Sequence, residues 1–180
     1  IHYKVSIESV RLNQKKSFQV KTSQLVFESN SCVVATGGLT VPSMGSSPFG
    51  YQVAESFGLT VVPTRAALVP LTWHAEDKEK NSLLSGTAFP AIVSNSRNSF
   101  RESVLFTHRG MSGPATLQMS SYWITGENLQ INFFPDDDGL TWLLEQQKHN
   151  PKQWLINILS QRFSKRFIQL LFGEQCNSAI

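Results

Sequence analysis

Cys32-Val33-Val34-Ala35-Thr36-Gly37-Gly38, followed by Leu39-Thr40-Val41-Pro42-Ser43-Met44-Gly45, is the stretch on which the reading of this chain turns. A short apolar run that ends in two adjacent glycines has the pattern of a buried strand stopping in a tight turn. Paired glycines admit positive φ and carry no Cβ, so another group can come close to the main chain. A hydroxyl, Thr36, precedes them. In a parallel α/β sheet, the loop at the carboxyl end of a strand is where nucleotides bind. Ala-Thr-Gly-Gly is also compatible with a plain sharp turn after a core strand, and the motif alone leaves both readings open.

Upstream, Tyr3 to Leu12, Ser17 to Thr22 and Gln24 to Glu28 alternate apolar and polar residues, with polar turns between them. That is the signal of an antiparallel meander. Downstream, Tyr51 to Phe57 has helical spacing with Gly58 as its C-cap, and Leu59 to Val62 reads as a strand stopped by Pro63. Composition shifts near residue 72, where the mixed-charge segment Glu76 to Asn81 follows a proline-bounded stretch.

The second part, from Ser85 to Phe106, reads as strands broken at Ser94-Asn95-Ser96-Arg97-Asn98. Leu105 to Pro114 then reads as a strand, a glycine-flanked turn and a helix opened by Pro114 and running to about Trp123. Free N–H groups at such a helix start can hold an anion, and a well-capped structural turn explains the same residues. Leu129 to Phe134 reads as a further strand, and helices are expected over 139–148, from Asn150-Pro151 onward, and through Phe163, Phe167, Leu170 and Leu171 to Gly173. Asp136-Asp137-Asp138 is explained by the dipole of the helix it precedes, and no metal site is expected there.

The chain has 180 residues, 41% of them hydrophobic and 11% aromatic, which excludes disorder and is enough for one or two cored domains. Its net charge of +3 is spread along the chain except for Arg162 to Arg166, so no nucleic-acid partner is expected. Cys32 and Cys176 form neither a disulfide framework nor a zinc pattern, and a cytoplasmic setting without a membrane partner fits. The start at Ile1, inside an alternating run, reads as a piece of a longer polypeptide.

Three blocks together resemble one family. Val34 to Gly45, Ala67-Leu68-Val69-Pro70-Leu71-Thr72, and Phe106 to Ala115 are similar to the YhiN/BaiN-like bacterial flavoproteins, NAD(P)/FAD-dependent oxidoreductases that include aminoacetone-oxidase-like members; Leu159 to Phe167 resembles a helical segment of the same family. The resemblance runs from about residue 25 to 172. It implies a mixed α+β and α/β chain: part of a Rossmann-like FAD domain over 1–70, then an inserted β-barrel-like domain with helices over 71–180. It implies FAD contact at Ala35, Thr36, Gly37 and Gly38, and a substrate-side role for Thr107, Gly110, Ser112 and Gly113. It also implies electron supply by NAD(P)H or a small organic substrate. His108, within that second turn, is the candidate catalytic proton-transfer group.

This chain departs from the family in three places. Pro48-Phe49 stand where Gly-Asp is usual, Leu59 where His is frequent, and Ala66 where Pro is frequent. No G-x-G-x-x-G turn occurs in these residues, so the chain by itself is expected to hold FAD weakly and to need the remaining parts of its polypeptide for activity. The rival reading is that residues 71–180 are a binding or interaction module without enzymatic activity, in which the basic helix Gln161 to Phe172 recognises nucleic acid or another partner.

Overall fold

Alternating residues in the first segment build three antiparallel strands in the computed structural model, which describes residues 1–178. Strands β1 (Ile7–Leu12), β2 (Phe18–Thr22) and β3 (Val26–Ser29) lie in the order β1-β2-β3, with Val10 opposite Val20 and Val20 opposite Phe27. A short 3-10 turn (Pro42–Met44) and helix α1 (Phe49–Ser56) follow. Gly58, at φ 77°, ends the helical turn.

The strands expected at Cys32 and at Leu59 to Val62 do not form. Residues 32–38 make no backbone hydrogen bond among the described residues, and Val33 is 87% exposed. A strand persists only where a neighbouring strand answers its N–H and C=O groups, and here none lies alongside. The apolar character of Val33 and Val34 is real, but it is unburied.

The chain divides into two compact units, Ile1–Thr64 and Arg65–Ile180. In the second, the strands are β4 (Leu71–Thr72), β5 (Ala88–Ser94), β6 (Ser99–Phe106), β7 (Gly110–Ser112) and β8 (Gln130–Asn132), in the sheet order β4-β7-β6-β5-β8. All pairings are antiparallel. Phe89, Ala91 and Val93 are buried while their neighbours in β5 are more exposed, the period of two that a one-faced sheet demands. Pro90, which has no N–H, lies in the part of β5 not paired with β8.

Helices α2 (Ala75–Ser82), α3 (Pro114–Ser120), α4 (Gly139–His149), α5 (Leu155–Leu159) and α6 (Lys165–Phe172) complete this unit. Ala115, Thr116 and Met119 of α3 are buried, as are Ile156, Ile158 and Leu159 of α5 and Phe167 and Ile168 of α6. The helix expected from Pro151 starts later, at Leu155, after a turn in which Gln153 N–H bonds to Asn150 C=O. Ser164 caps α6 by accepting from Phe167 N–H, and Gly173 at φ 55° stops it.

Asp138 caps α4, accepting from the Thr141 hydroxyl at 2.6 Å and the Thr141 N–H at 3.1 Å. These bonds, the hydroxyl first, hold its carboxyl below the usual carboxylate range. A depressed carboxyl supports the fold above its unfolded-state pKa, and that support is lost as pH falls through the folded-state value. The other two aspartates are also engaged, Asp136 with Arg101 and Asp137 with Arg162.

Glycine at 110 is a steric requirement. A Cβ there would stand 1.8 Å from Leu71 C=O and 2.8 Å from Thr72 Cα, inside the β4–β7 pair. Gly110→Ala is therefore expected to cost about 3 kcal/mol or more, with β4 forced off the sheet. Urea unfolding of the chain reads this directly, and an unshifted midpoint would show that the two strands can separate without loss.

Candidate functional site

The segment Ala35-Thr36-Gly37-Gly38 runs as open chain. Gly37 is left-handed at φ 71°, and a Cβ placed on it would meet nothing within 4 Å. Ala35 and Gly37 are exposed, while Thr36 and Gly38 are half-buried. Thr36 Oγ1 is closed off from solvent without a hydrogen-bond partner, facing the first turn of α1, 3.0 Å from where a Cβ on Gly50 would be. On Gly38 a Cβ would lie 3.3 Å from Tyr51 Oη. What the bend leaves open is bare backbone at Gly37, while the Thr36 hydroxyl is shut away from solvent. Val33, Val34, Leu39, Val41 and Met44 surround it with exposed apolar surface.

Close approach to main-chain groups needs a stretch without side chains, and Gly37 supplies one. The first turn of α1, which Pro48 precedes and Phe49 opens, carries no acidic residue.

The second set of candidate residues is closed rather than open. Thr107 Oγ1 donates to Gly110 C=O at 2.9 Å and accepts from Gly110 N–H at 3.1 Å, so its hydroxyl is spent on the turn. Ser112 pairs with Leu105 in the sheet. Gly113, at φ 90°, brings α3 so near β6 that a Cβ would stand 2.6 Å from Ser103 C=O. The anion-binding helix start considered for Pro114 is a single short helix whose N-terminal glycine is packed on β6. His108 is exposed at the tip of the turn.

Sequence reasoning missed a cleft of about 830 Å³ in the second unit. Arg65, Trp73, His74, Met111, Trp123 and Asn128 are among its walls. They come from three separated segments, so no local spacing announces them. The Ala67 to Thr72 block, already conspicuous, ends beside Trp73 and was the one available signal.

The basic segment Gln161 to Phe172 is less free than its composition suggests. Arg162 pairs with Asp137 and lies 4.6 Å over the Trp142 ring, and Arg166 donates to Leu83 C=O at 3.2 Å. No helix among the described residues is long and apolar enough to cross a membrane.

Two relatives carry the same name. A ribosomal RNA dihydrouridine synthase of Escherichia coli (strain K12) is 51% identical over 140 residues, 77% of this chain and 35% of the relative. A ribosomal RNA dihydrouridine synthase of Haemophilus influenzae (strain ATCC 51907 / DSM 11121 / KW20 / Rd) is 38% identical over 165 residues, 91% of this chain and 41% of the relative. The chain thus spans about two fifths or less of the length of these relatives. Neither is an aminoacetone oxidase by name. The expectation of no nucleic-acid partner is overturned by these names, which are those of an enzyme of RNA. It rested on scattered charge, whereas single-stranded RNA is also held by aromatic stacking, which leaves no mark on net charge.

Gly37→Ala meets no neighbour and is expected to cost only the strain of its left-handed backbone, about 1–2 kcal/mol. Thermal unfolding that shows a larger loss would mean the bend is packed and has no open side. Residues 65–179 match the HI0933-like protein barrel and H2TH domain, and the chain belongs to that family.

Proposed function

We propose that this chain is part of a flavin-dependent oxidoreductase that reduces uridine to dihydrouridine in ribosomal RNA. The observation that carries this is the 51% identity, over 77% of the chain, to a protein named for that reaction. In this reading residues 1–70 belong to a Rossmann-like FAD domain and 71–180 form an inserted domain.

The reaction adds two hydrogens across the C5=C6 bond of the base, one as hydride and one as a proton. Reduced FAD, when bound, supplies the hydride, and NAD(P)H is the donor that restores it. Ala35, Gly37 and Gly38 give the cofactor main-chain groups to lie against. Thr36 packs against the first turn of α1, and its hydroxyl has no hydrogen-bond partner within the chain. Thr107 locks the turn that carries His108 through both of its bonds to Gly110. Gly110, Ser112 and Gly113 hold that turn on the sheet, and the exposed imidazole of His108 is placed to hold or move a proton. An enzyme of ribosomal RNA in a bacterium works in the cytoplasm.

The test is nucleoside mass spectrometry of ribosomal RNA from cells lacking the full-length protein. One dihydrouridine is expected to disappear and to return on re-expression; unchanged content would end this reading. In the purified full-length enzyme, His108→Ala is expected to slow reoxidation of the reduced flavin by RNA by about 10²-fold or more. Unchanged stopped-flow traces would remove His108 from the chemistry.

A further inference from the structure

The cleft in the second unit has walls that are held in place independently of any ligand. Trp73 stacks on Phe106 with ring centroids 6.2 Å apart and planes 22° from parallel, so the hydrophobic core backs its ring. Trp123 donates from its indole nitrogen to Glu127 C=O at 2.9 Å. Glu127 in turn accepts from Arg97 at 2.8 Å and from Ile124 N–H at 3.0 Å, which fastens the loop between α3 and β8. The opposite wall is pinned where Val69 N–H donates to Ser120 Oγ at 3.0 Å. Two indoles are therefore presented on a rigid frame, and a ligand that stacks on them loses little to ordering.

The polar groups of this cleft are mixed in charge. Arg65 makes no salt bridge among the described residues, and His74 stands exposed before α2. Asn128 contributes an amide, and Asp77 a carboxylate in the same wall. The indole N–H of Trp73 is buried with no acceptor. A cleft of about 830 Å³ with aromatic walls, one arginine without a salt bridge among the described residues, an amide and two carboxylates, of which Glu127 is paired with Arg97, suits a neutral base carrying a single phosphate better than a polyanion.

We propose that this cleft takes an unstacked nucleotide of single-stranded RNA, its base against Trp73 or Trp123 and its phosphate toward Arg65. The choice of RNA as occupant rests on the reading given under Proposed function; the cleft geometry does not.

The experiment uses the whole chain and a single-stranded oligouridine of about eight nucleotides carrying 5-iodouridine. Photo-crosslinks are expected on Trp73, His74 or Trp123. Trp123→Ala is expected to weaken binding, read by fluorescence anisotropy at low salt, by roughly 5- to 150-fold. Arg65→Ala, at an exposed position where folding is not at stake, is expected to weaken binding and flatten its salt dependence. Lys165→Ala, on α6, leaves the affinity unchanged. Crosslinks confined to residues 162–172, or full affinity in both Arg65→Ala and Trp123→Ala, overturn the proposal, as does absence of binding by the unaltered chain. In those cases loss of dihydrouridine in the deletion strain still stands on its own. Crosslinks in the cleft with unaltered dihydrouridine content would sink the enzymatic reading and leave the cleft.

Discussion

Phe89 is the side chain on which the second unit depends. From the buried face of β5 it meets Phe106 of β6 at 6.4 Å, Phe133 beyond β8 at 6.0 Å, Phe163 at 5.4 Å and Phe167 of α6 at 4.6 Å. The first two tie strands together; the last two fasten the C-terminal helices to the sheet. Burial of each such ring contributes roughly 1.5–3 kcal/mol, and the edge-to-face geometry adds to it. The cluster continues through Phe106 to Trp73, so the packing that closes the core also sets the orientation of one wall of the cleft.

Where the sequence carried a periodicity and its partners lay close along the chain, the fold was legible. The meander, the β5–β6 hairpin around Ser94 to Asn98, the helix opened by Pro114 and the stop at Gly173 all rest on local rules. The runs at Cys32 and Leu59 failed because a buried strand needs neighbours, and hydrophobicity alone cannot supply them. Asn150-Pro151 failed as a helix start because the pair was absorbed into the preceding turn. Of the candidate site, the bareness of residues 35–38 was readable from the two glycines. The reason for Gly110 and Gly113 was not, since the atoms they avoid, Leu71 C=O and Ser103 C=O, belong to other strands.

Several charges in the loops of the second unit are answered within the chain. Asp136, Asp137 and Glu127 each hold an arginine, and Asp138 is committed to the cap of α4. Exposed pairs of this kind contribute little to stability, about 0–1 kcal/mol each. Their effect is instead to fix loops: Arg97 and Glu127 between two turns, Arg162 across the aromatic rings of Phe134 and Trp142. Arg162 is thus engaged before α6 begins, while Lys165 and Arg166 on α6 enter no salt bridge among the described residues.

Gly50 lies in the first turn of α1, distant in sequence from the bend, yet its missing side chain is what lets Thr36 settle there. A Cβ at 50 would stand 3.0 Å from the Thr36 hydroxyl and 3.5 Å from the Val34 side chain, so that the threonine would have to shift to accept it. Variation at this helical position would then register in the backbone at residues 36–38, although the altered residue lies outside the bend.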